Sequence, residues 1–292
     1  MIWVHGPRKK PCRQRRNSNL RRLPQACFLL PLITDVPAYT PRQEPLRAGA
    51  VILGVNRPEK GTENGWGIDG CRSGWIAAGP DGQWLHDDNL LRLLERMQPE
   101  TAMIDMPIGL SGKGVERTVE QAARKRLGRK ASSVFTPPCR SAVYATDYQR
   151  ACELQEEQNG KRISIQAWNI APRIRELDGL LREYGYWVPR VFESHPELNF
   201  CLLNGGLPIL ESKKTAEGKA QRLACLQQYV PDVLLHCESG RQLFKGKGVQ
   251  ADDLIDALCL QLVSSLQHTW LEAGAQQDEF GLLMGFRVPA SL

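Results

Sequence analysis

The chain has 292 residues, 42% of them hydrophobic, 24% charged and 7% aromatic; it can bury a core without disulfides or a structural metal, and its composition excludes a collagen, a coiled coil or a wholly disordered chain. The net charge of +6 is uneven, with 12 Lys/Arg against 3 Asp/Glu in residues 1–62 and 26 against 29 in the remainder, so the body's overall charge is no argument for a polyanionic partner, although a local basic groove is compatible with it. Nine cysteines, odd in number and never spaced Cys-x-x-Cys, point to a reducing cytoplasm rather than to a disulfide framework or a zinc site, and no apolar run reaches the ~18 residues of a membrane span.

Residues 1–62 hold 8 of the 19 prolines and the basic run 8–22, a pattern that predicts a largely disordered appendage. The short apolar run after it contains Pro31 and follows too long a basic lead for a secretory signal. An unused upstream stretch is preferred to a basic arm for nucleic acid.

From Trp66 the pattern becomes regular. Residues 66–70, 74–79 and 83–87 read as three antiparallel strands, the last two joined at Pro80-Asp81-Gly82. A helix is predicted over 89–97, a buried strand over 101–107 stopped by Pro107, and a basic helix over 115–127. Pro137-Pro138 forbids helix in 132–145. Helices are predicted over 148–158 and 164–184, a strand over 187–197 stopped by Pro196, helices over 214–228 and 252–267, and an added strand over 279–289. The expected fold is α/β: a mixed sheet of three antiparallel strands followed by parallel ones, covered by helices, in a single domain over 63–292.

The informative residues are acids at element ends. Asp69 lies in the first strand, Asp105 closes the fourth, Glu193 lies in the fifth, and Asp253 and Asp256, three apart, share one face of the last helix while Asp252 points away. Gathering carboxylates is unfavourable unless a cation relieves the repulsion. Two Mg²⁺ or Mn²⁺ ions held by Asp69, Asp105, Asp253 and Asp256 would relieve it, in a site able to cleave phosphodiesters. Singly, Asp69 or Asp105 could cap a turn, and Asp252 or Asp253 could complement a helix N-terminus. Glu193 in an apolar strand is the hardest to leave idle. His195, two residues on, is expected on the same face and chiefly in support of the site.

The segments GIDGCRSGW, IDMPIGL, ARKRLGRKASSVFTPP followed by Arg140, VFESHPE, SKKTAEGKAQRL and ADDLIDAL resemble, in sequence and order, a bacterial and archaeal family of domains of unknown function regarded as predicted RNase H-like nucleases. The resemblance spans residues 65–289. It implies an RNase H-like five-stranded core in which Asp69, Asp105 and the Asp253/Asp256 pair converge, with Glu193 and His195 in the family's Glu-x-His-Pro-Glu motif. One departure is Arg117-Thr-Val-Glu120, where the family carries an Arg-x-Cys-Asp-like cluster, and Glu120 is left out of the metal site. Arg124, Arg140 and Lys214, each within a family motif, are candidate phosphate contacts, Arg140 foremost because a rigid loop can aim a guanidinium.

The expected function is a Mg²⁺- or Mn²⁺-dependent phosphodiester hydrolase acting on nucleic acid or a nucleotide. A non-catalytic binding protein of the same fold is the main rival. An ATP-dependent kinase of the actin and sugar-kinase type would need a second such domain and a second Gly-rich phosphate loop, and the body shows one core and no such loop.

Overall fold

The computed structural model describes residues 61–112, 114–271 and 275–290; the appendage expected in 1–62 falls outside them except for Gly61 and Thr62. Gly61 already belongs to the body's hydrogen bonding, its N–H donating to the Ser265 carbonyl at 2.9 Å.

Three strands come first: β1 (Gly65–Cys71), β2 (Gly74–Ala78) and β3 (Trp84–Asp87). They pair antiparallel in sequence order. The turn between β2 and β3 holds Asp81 in left-handed conformation, φ +52°, a role that a short polar side chain tolerates. Asn89 then caps α1 (Leu90–Met97), its Oδ1 accepting the Arg92 N–H at 3.0 Å. The chain re-enters the sheet as β4 (Thr101–Ile104), parallel to β1.

Next come α2 (Val119–Leu127), the single turn α3 (Arg140–Val143), α4 (Tyr148–Asn159) and the long α5 (Ile165–Glu183). Strand β5 (Val191–Glu193) pairs parallel with β4, completing a five-stranded sheet in the order β3-β2-β1-β4-β5. The expected α/β core of three antiparallel and then parallel strands is what the chain forms. Helices α6 (Pro196–Leu203), α7 (Ala216–Gln227), α8 (Val233–Leu243) and α9 (Ala251–Ser265) follow.

Residues alternate across the sheet. Trp66, Ile68, Ala77, Ala102 and Ile104 pack with α1 and α5 on one face; Ile76, Ala78 and Cys71 pack with α6 to α9 on the other. Burial of Ile68, Ile76 and Ile104 stabilises each by roughly 1.5–3 kcal/mol relative to exposure.

Four readings are corrected. The 132–145 segment is not free of helix: the single turn α3 forms just after the Pro137-Pro138 step, because the two prolines bar helix only at and before themselves. Pro196 does not merely stop a strand: it starts α6 as a first-turn proline, with His195 as the cap. Helix α8 was not predicted; its Gly240 lies against the Trp84 indole, where a Cβ would stand 2.8 Å from the ring. The 279–289 run does not join the main sheet. It is cut at Gly285 into β8 (Leu283–Met284), which pairs with β7 (Gln276–Gln277), and β9 (Arg287–Pro289), which pairs with β6 (His268–Trp270). Among the described residues no helix is long and apolar enough to cross a membrane.

Candidate functional site

The close approach of α9 to β1 builds the site. A Cβ on Gly67 would lie 2.1 Å from the Ala257 carbonyl oxygen and 2.2 Å from the Gln261 nitrogen, and one on Gly65 would meet Ser264. As β1 advances, its neighbours on α9 recede toward that helix's start, so the N-terminus of α9 lies at the carboxyl end of β1. Register sets the rest. Ile68 stands opposite Ile104, and the Asp105 N–H continues the ladder to the Ile68 carbonyl at 3.1 Å. Asp69 and Asp105 therefore leave adjacent parallel strands on the face covered by α9, their backbones about 4.8 Å apart across the sheet. Met103, on the same face, packs against Leu260 and Val263 of α9. Carboxyl ends of parallel strands are where open α/β sheets bind ligands.

Asp69 and Asp256 are buried, at 7% and 1% exposure. Burial pushes the Asp69 carboxyl well above the ordinary range, and the charges of Asp105 and Asp256 push it further. Burial likewise lifts Asp256 to about 7, against the opposing charge of Lys213, and raises Asp105, opposed by His195 and Lys213. The strand register and the close packing of α9 on β1 place the three carboxylates at the same end of the sheet, and the charges of Asp105 and Asp256 both act on Asp69.

The cation among them is Lys213, a residue the sequence reading passed over for its neighbour. Its Nζ forms an ion pair with Asp256 Oδ2. Burial works against its charge, but Asp256, Asp69 and Asp105 together hold the ammonium protonated beyond its ordinary range. A tight turn aims it: the Ser212 carbonyl accepts both the Thr215 N–H at 3.0 Å and the Thr215 hydroxyl at 2.8 Å, and Thr215 Oγ1 caps α7 by accepting the Gly218 N–H at 3.0 Å. Buried Arg222 anchors the same turn through the Glu211 carbonyl at 3.1 Å and pairs with Glu197 at 2.6 Å. Lys214, the expected phosphate contact, is exposed on the outside of this turn.

Asp253 lies at the edge of the cluster. Its Oδ2 accepts the Gln250 N–H at 2.8 Å, capping α9, and burial raises its carboxyl.

Glu193 borders a small chamber of about 20 Å³ together with Asp105 and His195, but its carboxylate is committed to another network. It pairs with Ile104, so it faces the side of the sheet opposite Asp69 and Asp105. There the guanidinium of Arg117 holds it, with Nη2 2.9 Å from Oε1, and its Oε2 accepts the Ile108 N–H at 2.8 Å. Arg117 also bridges to Glu120 at 2.6 Å and donates to the carbonyls of Ile108 and Gly109. All three charged side chains are buried. Burial lifts Glu193 to about 7, with Arg117 pulling the other way. Arg117 and Glu120 thus form a closed ion cluster with Glu193, under the sheet.

His195 does not continue the strand beside Glu193, because β5 ends at Glu193. Its Nδ1 accepts the Leu198 N–H at 3.2 Å as the cap of α6, and Nε2 lies 3.3 Å from the Ser133 carbonyl. Those two partners fix the tautomer with the proton on Nε2, a supporting role.

Arg140 is likewise committed. It pairs with Asp178 at 2.8 Å, with Asp278, and with Glu279 at 3.0 Å, so its donors serve a network of their own that ties α3, α5 and the C-terminal segment. Arg124 donates to the Val134 carbonyl and to Thr136 and lines a separate cleft.

Among the described residues no three His, Cys, Asp or Glu side chains form a ready-made metal site. The donor set nonetheless fits a hard cation in chemistry: carboxylate oxygens from three elements, and Asp256 Oδ1 buried with no hydrogen-bond partner. Asp69, Asp105 and Asp256 are the residues that would hold it.

No curated protein and no solved structure matches the chain. A family model matches residues 67–268, from the strand that carries Asp69 to just beyond α9, and the chain belongs to the family described as "Protein of unknown function (DUF429)".

Proposed function

We propose that the protein is a Mg²⁺- or Mn²⁺-dependent hydrolase of phosphodiester bonds, a nuclease of RNase H-like plan acting on nucleic acid or a nucleotide. What supports this reading is that Asp69 and Asp105 stand at neighbouring positions of adjacent parallel strands under the start of α9, where Asp256 Oδ1 is buried and unpartnered. A divalent cation held there would supply a water of lowered pKa and charge for a leaving oxygen. The chain's own residues do the rest. Asp69, on which the charges of Asp105 and Asp256 both act, would contribute a carboxylate to the cation; Asp105 is partly exposed and can accept a proton from a water at the mouth of the site. Lys213, whose side chain is 35% exposed, can turn from Asp256 toward a substrate phosphate when another cation takes its place. Seven free, buried thiols among the described residues suit a reducing compartment such as the cytoplasm.

The Lys213–Asp256 pair also favours a second reading, a non-catalytic binding protein in which the lysine permanently neutralises the acids. The two separate on one assay. Wild-type protein is offered single-stranded, duplex and branched RNA and DNA with Mn²⁺. The hydrolase reading expects cleavage that chelator stops and that Asp69→Asn loses more completely than Asp105→Asn. No cleavage of any substrate by folded protein with metal bound supports the binding protein.

A further inference from the structure

A second polar cavity, outside the carboxylate cluster, lies between α2, the 134–138 loop, the end of α4 and the start of α5. Its volume is about 720 Å³, within the ~300–1,000 Å³ range of small-ligand sites. We propose that this cleft binds a nucleoside phosphate, either one unit of a single strand or a free nucleotide. This goes beyond the hydrolase reading and does not depend on it.

Three kinds of group carry the inference. The first is an aromatic ring held out toward solvent. Phe135 is 39% exposed, and Arg124 grips the chain on both sides of it, through Nε to the Val134 carbonyl at 3.1 Å and Nη2 to Thr136 Oγ1 at 2.7 Å. A ring presented from a pinned loop is a stacking platform for a base. The second is cationic charge. Arg124 Nη1 takes part in neither of those bonds, and Lys161 is exposed just after α4, with Arg162 beside it and Glu116 and Glu120 on the α2 side of the cleft. Arg124 and Lys161 line the cleft and suit a phosphate. The third is an amide pair. Gln155 and Gln158 lie three apart on α4 and so share a face. Gln155 spends its Oε1 on the Cys139 N–H, and Gln158 spends its Nε2 on the Gly112 carbonyl. One amide donor and one acceptor are left for a base edge.

The cleft also neighbours Asp105 and Glu193. Glu120 and Phe135 line both the cleft and a chamber of about 20 Å³ that Asp105 and His195 border.

The test titrates the full-length protein, in chelator, with AMP, an eight-residue oligothymidylate and inorganic phosphate. Binding of AMP or the oligomer is expected, at least tenfold tighter than phosphate. Phe135→Ser should weaken it about tenfold through lost stacking, and Lys161→Glu should weaken it and flatten its salt dependence. Both residues are exposed, so neither change should alter folding. Tighter binding of the oligomer than of AMP identifies a strand as the source; equal or weaker binding identifies a free nucleotide. Binding in chelator, with no cleavage of the bound oligomer once Mn²⁺ is supplied in excess, keeps this inference while overturning the hydrolase reading. Failure of both nucleotide probes to bind at millimolar concentration overturns it, as does phosphate binding as tightly as AMP, or binding that survives both substitutions.

Discussion

Removing Arg117 should be among the costliest single changes in the body. Its side chain is 1% exposed and those of its partners Glu120 and Glu193 3% and 4%, so solvent cannot replace the guanidinium. In Arg117→Met both carboxyls either remain charged in the interior or take up protons at neutral pH. Uptake costs about 1.4 kcal/mol for each pH unit between a carboxyl's ordinary range and pH 7. Glu193, already lifted to about 7 by burial, bears most of that cost in the native protein, so the new loss falls chiefly on Glu120 and on the carbonyls of Ile108 and Gly109 that lose their donor. The expected destabilisation is about 3–5 kcal/mol at pH 7. The sign with pH follows from linkage: carboxyls that hold protons more tightly when folded lose stability as pH rises. The deficit against wild type should therefore shrink to about 1–2 kcal/mol at pH 5. Urea denaturation at the two pH values reads it directly. Adding Glu120→Gln and Glu193→Gln should recover most of the loss at pH 7. A deficit below about 1 kcal/mol, or one equal at both pH values, would refute the closed ion cluster.

Gly67→Ala should destabilise by about 3 kcal/mol or prevent folding, because its Cβ would stand 2.1 Å from the Ala257 carbonyl; a melting temperature equal to wild type would mean that α9 can retreat freely. His268 is held down to about 4 by burial, with the Arg287 charge adding to it. It is neutral in the fold but charges in the unfolded chain below about 6.5, so its contribution is lost as pH falls from about 6.5 to 4, and His268→Gln should show a shallower loss over that interval in denaturant midpoints; an unchanged slope contradicts the shift. Lys213→Met removes the ammonium from Asp256 and should raise Mn²⁺ affinity at least tenfold by calorimetry, since the cation no longer competes with a tethered charge; weaker binding would make Lys213 an aid to the ion rather than its rival.

The sheet and the three aspartates were legible because their signals are local. Asp69 lies among apolar neighbours in the first strand, Asp105 precedes the Pro107 stop, and Asp256 sits three residues from Asp253 on a periodic helix. The face of Glu193 was not, since it depends on the Ile104–Glu193 register, which no single strand encodes. Counting on to His195 failed for a related reason: alternation holds only while a strand lasts, and β5 has three residues. The signal available was Pro196, a good first-turn helix residue, followed by Glu197. Lys213 and Lys214 are adjacent in a turn without periodicity, so only the hydrogen bonds of Ser212 and Thr215 decide which one turns inward. Arg117 carried a readable cue, an Arg and a Glu three apart at a helix start, but its main partner comes from a distant strand.

The central claim is that Asp69, Asp105 and Asp256 form one cation site. Titration of Mn²⁺ into wild-type protein and into Asp69→Asn by isothermal calorimetry tests it most directly, with circular dichroism to verify that both are folded. The account predicts saturable binding to wild type and its loss, by a hundredfold or more, in Asp69→Asn. Equal Mn²⁺ binding by the two proteins would contradict it.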